Sequence, residues 1–229
     1  MTESAGAPAA WAAGGTGDGI RVAIIGGGIY SAHVDIAPNL DVGASMSFVP
    51  GQPFNNDTGT FWHGTHVAGI VAAADNTTGV VGIAPEATLI GVKALHNGSG
   101  SFGAVIAGIL YAASPLQRQL RWAGRQAWGL MRTTSAAWPR TATTGLRRYT
   151  CLHLSGVVVP CWVFDMILST SRGTTASGGY SWAAGTSMAA PATSAVAAII
   201  KQQNPGISLG ALKAKLAQTA DDVYKQGAD

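Results

Sequence analysis

Between Glu86 and Asp165 the chain carries no acidic residue. Charge is scarce throughout, at 11% of residues against 47% hydrophobic. That balance excludes a disordered chain, which needs low hydrophobicity and high charge. No uninterrupted apolar run reaches the roughly 18–20 residues that a membrane-crossing helix needs, so no membrane span is expected. The opening residues Met1-Thr2-Glu3-Ser4 have neither a basic stretch nor an apolar one, and no export signal is expected there. Cysteine is limited to Cys151 and Cys161, without metal-type spacing, so they form either one disulfide or two plain thiols. The net charge of +3 is too small to demand a nucleic-acid partner. Seven arginines cluster between Arg118 and Arg148, but no recognisable nucleic-acid motif accompanies them, and no nucleic-acid partner is expected.

What is present is a core-forming chain of 229 residues, enough for one domain of ordinary size, whether whole or cut from a longer precursor. Residues 1–19 read as an irregular opening segment. Val22-Ala23-Ile24-Ile25 is a continuous apolar run that stops at Gly26-Gly27-Gly28, as a buried parallel strand ending in a turn does. Residues 63–74 read as a helix, with Val67, Ile70, Val71 and Ala74 on one side. Residues 88–94 read as a second strand, 102–113 as a second helix and 187–201 as a third. Ser208 is expected to cap a last helix through Leu209, Leu212 and Leu216. Strands alternating with helices predict an α/β domain of three layers, a mostly parallel sheet with helices on both faces. Residues 114–155 fit no element. They hold Trp122, Trp128, Trp138 and scattered arginines with no sustained period, and a structureless stretch of that length is unusual inside a domain.

Two residues stand out chemically. His63 would sit at a rigid helix start among the small residues Gly64, Thr65, Ala68 and Gly69. Alone it reads as an ordinary packed or surface histidine. Paired with His66 at i, i+3 it also suggests zinc, but no third ligand stands at a usual spacing. Ser187 precedes an apolar helix and alone reads as an N-cap. A serine there also lies at the positive end of a helix dipole with a backbone N–H free to face an oxyanion. Gly185 lets a bound peptide approach, and Pro191 is expected in the first turn or so, where N–H groups lack intrahelical partners.

The seven-residue segments HGTHVAG at 63–69 and GTSMAAP at 185–191, in that order, resemble the subtilisin-like serine proteases. The resemblance extends through residues 75–85, the Gly91-Val92-Lys93 strand, Gly98-Ser99-Gly100, the Tyr180-Ser181-Trp182 lead-in and the C-terminal helices, over residues 11–113 and roughly 156–226. It implies a subtilisin-like fold and acyl transfer by a serine endopeptidase on polypeptide substrates, with His63 as base and Ser187 as nucleophile. It also implies a calcium site, with side chains of Asp35 and Asn76 and carbonyls of Ala74, Thr78 and Val80 as oxygen ligands. Many members are secreted, and a monomer is expected.

The pattern breaks in two places. The family's triad aspartate ends the first strand, where this chain has Gly26, and Asp35 resembles the calcium aspartate instead. The family's oxyanion asparagine has no counterpart, because no asparagine stands between Asn97 and Asn204. Two accounts fit: a pseudoprotease that keeps the fold and binds protein, or a damaged reading of a once-active gene. The abrupt borders of residues 114–155 favour a shifted reading frame, in which case the coding DNA read in another frame recovers an Ala-Gly-Asn segment. A remote alternative is dinucleotide binding through the Gly26–Gly28 turn, although Ser31 holds the third glycine position.

Overall fold

The computed structural model describes residues 5–57, 62–114 and 166–219, and the backbone of 153–154 and 157–158. Strand β1 (Arg21–Gly26) pairs in parallel with β3 (Thr88–Lys93) from Arg21 opposite Thr88 to Gly26 opposite Lys93, and β3 pairs in parallel with the short β2 (Met46–Ser47). The spatial order is β1-β3-β2, so β3 is paired on both sides. Helices cover both faces. The period of two along a strand sorts the side chains: Val22, Ile24 and Leu89 face helix α2 (His63–Ala72) and helix α4 (Thr186–Gln203), while Ala23, Ile90 and Val92 face helix α3 (Phe102–Ala112). This is the three-layer α/β arrangement that the alternating elements imply.

Two antiparallel pairs complete the described strands, β4 (His153–Leu154) with β5 (Val157–Val158), and β6 (Ile167–Ser171) with β7 (Gly179–Ala183). The β6–β7 hairpin is pinned to α2 by side chains. Ser169 Oγ donates to the His66 carbonyl at 2.8 Å and Thr170 Oγ1 to the Thr65 carbonyl at 2.7 Å. Gly69 makes that contact possible, since a Cβ there would lie 2.2 Å from Thr170 Oγ1. The last helix, α5 (Leu209–Gln218), begins as the sequence implies, with Ser208 Oγ accepting the Ala211 N–H. Among the described residues no helix is long and apolar enough to cross a membrane.

Three expectations need correction. The opening segment is not wholly irregular: residues Ala7–Ala12 form α1, with Pro in its first turn, Ala7 buried and Trp11 Nε1 donating to the Ile83 carbonyl. Ser187 is not the cap of α4; Gly185 is, and Ser187 is the helix's second residue. Pro191 accordingly lies inside the helix, past the first turn, where it deprives the Ser187 carbonyl of an intrahelical donor. Most of residues 114–155 lie outside the described residues, as do Cys151 and Cys161.

Candidate active site

The site forms where the end of β1 meets the start of α2. The turn after β1 is held by α2 and by the loop before it. Ile29 N–H donates to the Phe54 carbonyl at 3.0 Å, and Tyr30 N–H to Thr65 Oγ1 at 2.9 Å. Gly64 lies directly on Gly28, so near that a Cβ would stand 1.9 Å from the Gly28 oxygen. Gly28 itself has φ 115°, a conformation that favours glycine. The glycines of HGTH and of the Gly26–Gly28 run are thus one contact, and it sets His63, the first residue of α2, against the strand end.

Helix α2 opens from Trp62, at φ 39°, without a cap from that side chain. The cap comes from Asp57 instead. Its Oδ2 accepts the Thr65 N–H at 2.8 Å and the Thr65 hydroxyl at 2.5 Å, satisfying a first-turn N–H that has no partner within the helix. Asp57 is 2% exposed, and its Oδ1 has no hydrogen-bond partner among the described residues. Beside it Lys93, fully buried at the end of β3, donates from Nζ to the Gly27 carbonyl and, at 2.9 Å, to the Asn56 carbonyl. Burial pushes the Asp57 carboxyl up and the Lys93 ammonium down, each opposed by the other's charge. The sequence reading missed Asp57. A single carboxylate eight residues before Thr65 carries no local signal.

Helix α4 packs against α2 within the same apolar cluster, where Met188 and Ala192 join Ala68 and Val71. The lead-in is tied as well: His66 Nε2 meets the Ser181 carbonyl at 3.1 Å, so the strand running toward Ser187 is held to the first turns of α2. Ser187 is half-buried at the start of an 18-residue helix, and His63 is exposed. The N–H groups of Met188 and Ala189 both turn to the Gly185 carbonyl. The Ser187 N–H belongs to the first turn, where such groups are free for an incoming oxyanion. Among the described residues no hydrogen bond joins His63 to Ser187.

The lesser readings meet physical obstacles. His66 is buried against Ser181, and among the described residues no third His, Cys, Asp or Glu joins it and His63 in a group that could hold a metal. A dinucleotide turn needs a helix that opens straight after the glycines. Here they run into Tyr30 and then only the short 3-10 turn Ala37–Asn39, and α2 fills the space beside Gly28.

The residues expected to bind calcium do lie together. Asp35 is fully buried, its Oδ1 accepts from Asn76 Nδ2 at 3.2 Å and its Oδ2 from the Val80 N–H at 3.2 Å. The Ala74 N–H donates to the Asp35 carbonyl at 2.8 Å, and the Thr78 N–H to Asn76 Oδ1 at 3.0 Å. Burial, with Asp35 beside it, pushes the Tyr180 phenol up to about 12. One carboxylate, one amide and a set of carbonyls match a hard cation in kind. The amide is turned with its nitrogen toward the carboxylate, so an ion would need it to rotate.

His66 yields a pH prediction. Burial holds its imidazole below the ordinary range, so it stays neutral in the fold. Below about pH 6.5 the unfolded chain takes up a proton there that the folded chain resists. The unfolded state then binds more protons, and stability falls on acidification. Asp57, raised by burial, acts with the opposite sign above its ordinary value. The urea midpoint of His66→Gln should therefore lose less than that of the unmodified chain between pH 7.5 and about pH 5.

A three-layer α/β fold that opens one helix with histidine, and sets a serine in the first turn of a helix packed beside it, is the framework of a serine hydrolase of the subtilisin type. The model of the subtilase family matches residues 17–138 and 150–229, and the chain belongs to that family. It is 46% identical over 97 residues to subtilisin DY of Bacillus licheniformis, covering 42% of this chain and 33% of that protein. It is 45% identical over 109 residues to subtilisin Savinase of Lederbergia lenta and to subtilisin E of Bacillus subtilis, covering 47% of this chain and 38% and 27% of theirs. The chain therefore spans well under half the length of the curated relatives it matches. Among solved structures, sphericase superposes with a TM-score of 0.56 at 22% identity, covering 89% of this chain and 83% of that one. A protease of Pseudoalteromonas arctica superposes with a TM-score of 0.63 at 21% identity, covering 90% and 84%. At those identities the superpositions show the fold.

Proposed function

We propose that this chain is a serine endopeptidase of low turnover, acting as a monomer on polypeptides outside the cell. The observation that carries this is the placement of His63 as the first residue of α2 and of Ser187 in the first turn of α4, on helices packed together. Ser187 Oγ attacks the peptide carbonyl, His63 takes its proton and returns it to the leaving amine, and water then releases the acyl group. The Ser187 N–H supports the oxyanion. Turnover is low because Gly26 supplies no carboxylate and no asparagine between Asn97 and Asn204 supplies an oxyanion donor. Those two losses also favour a second reading, a non-cleaving module that binds polypeptide. A fluorophosphonate probe separates them. Labelling that disappears in Ser187→Ala and in His63→Ala supports the endopeptidase; an unlabelled chain that still binds extended peptides supports the second reading.

Calcium is part of the proposal. Asp35, Asn76 and the carbonyls of Ala74, Thr78 and Val80 would hold it, and its role is to fasten the loop after α2. A ligand that binds only the folded state raises stability by mass action. The melting temperature should rise by at least about 3 °C in millimolar calcium over EGTA, and Asp35→Asn should remove the difference.

A further inference from the structure

We infer that the Tyr180 hydroxyl competes with calcium for the Asp35 carboxylate: it holds that carboxylate when no cation is bound and has to leave before one can bind, so Tyr180 sets the affinity of the site. The inference rests on the calcium reading of Asp35 and Asn76.

Three observations carry it. First, the two groups meet. A side-chain hydrogen bond joins the Tyr180 hydroxyl to Asp35. Gly79 lies against both partners: a Cβ there would stand 1.9 Å from the Tyr180 hydroxyl oxygen and 2.5 Å from Asp35 Oδ2. Its φ of 64° also favours glycine, so the turn and the fit ask for the same residue. Second, the described partners of this fully buried carboxylate all donate. Asn76 Nδ2 donates to Oδ1 and the Val80 N–H to Oδ2, each at 3.2 Å. An ionised carboxylate only accepts, so the phenol donates as well. Such donors suit a carboxylate alone, whereas a hard cation needs oxygen acceptors turned toward it. Third, the phenol can withdraw without moving its strand. Tyr180 is 38% exposed. The residues on either side are held through their carbonyls, Gly179 by His33 Nε2 at 2.8 Å and Ser181 by His66 Nε2 at 3.1 Å.

The position of Tyr180 gives the competition a reach beyond the loop. It lies on β7, the strand that leads to Ser187, and its ring meets His33 edge-on with centroids 5.4 Å apart. One side chain therefore joins the Asp35 carboxylate to the strand running toward the nucleophile. Tyr180 is a positioning residue for the cation: it acts through Asp35.

The test is calcium affinity, measured by isothermal titration on the unmodified chain and on Tyr180→Phe, which keeps the ring beside His33. Removing a hydrogen bond that calcium has to displace should tighten binding by at least about threefold. A smaller gain overturns the inference, and so does weaker binding, which would make the hydroxyl a ligand instead of a competitor. A second measurement needs no calcium. In EGTA, Tyr180→Phe should lower the urea midpoint of the unmodified chain by about twice as much as that of Asp35→Asn, because a hydrogen bond to a charged acceptor is roughly twice as strong as one to a neutral acceptor. Equal losses overturn the inference. If neither protein binds calcium, the calcium reading fails and the competition fails with it. If both bind with equal affinity, that reading stands and the role of Tyr180 alone is overturned.

Discussion

Replacing Gly26 with aspartate should raise turnover of a chromogenic peptide by about 10²–10³. In subtilisin, removal of the triad aspartate costs about 3 × 10⁴ in turnover. The change does not restore the missing oxyanion asparagine, which puts the expected gain below the full value. The backbone can accept the change. Gly26 is outside the left-handed region, and a Cβ there meets no atom within 4 Å. Its neighbour across the sheet is Lys93, so the new carboxylate would lie beside a residue that carries a buried ammonium. Gly26→Asn is the control, since it fills the same space without charge. Equal rates for Gly26→Asp and the unmodified chain would mean that the carboxylate does not limit turnover, and the missing oxyanion donor would then be the controlling loss.

Gly64→Ala, by contrast with that tolerant glycine, should be among the most damaging single-methyl changes among the described residues. Its Cβ would stand 1.9 Å from the Gly28 oxygen and 3.0 Å from the Gly28 carbon. Both atoms are backbone, so no side chain can swing aside. Gly28 cannot yield easily either, because a shift carries it onto the Phe54 and Asn56 carbonyls already against it. Overpacking commonly costs about 1–3 kcal/mol, and a clash between two backbones belongs at or above the top of that range. For a chain of this length, about 3 kcal/mol lowers the melting temperature by roughly 6–12 °C. Gly26→Ala, with nothing in its way, should stay within about 1 kcal/mol of the unmodified chain. Thermal unfolding of the two variants side by side checks the contrast. Equal melting temperatures would show that α2 does not rest on the strand end as described.

The limits of sequence reading follow the same division. The starts of α2 and α5 and the core strands β1 and β3 were legible because each depends on near neighbours: a capping serine, helical spacing, an apolar run broken by glycine. The His63 and Ser187 segments were legible as a resemblance, since each is contiguous. Pro191 was misplaced by less than a turn, because Gly185 rather than Ser187 caps α4. The α1 helix was missed because its support is distant, Trp11 reaching the Ile83 carbonyl.

The sequence by itself determined the layered α/β architecture, the absence of a carboxylate at position 26 and the absence of an asparagine between Asn97 and Asn204, and its two seven-residue segments carried the resemblance to the family. Each of these is read from contiguous residues or from the order of local elements. Only the tertiary structure decided that Gly64 rests on Gly28, that Asp57 caps the histidine's helix with one oxygen and leaves the other without a partner among the described residues, and that Lys93 is buried beside it. The physical reason is that burial and hydrogen-bond partnership are set by segments far apart in the chain, and no local pattern records which oxygen will be left without a donor.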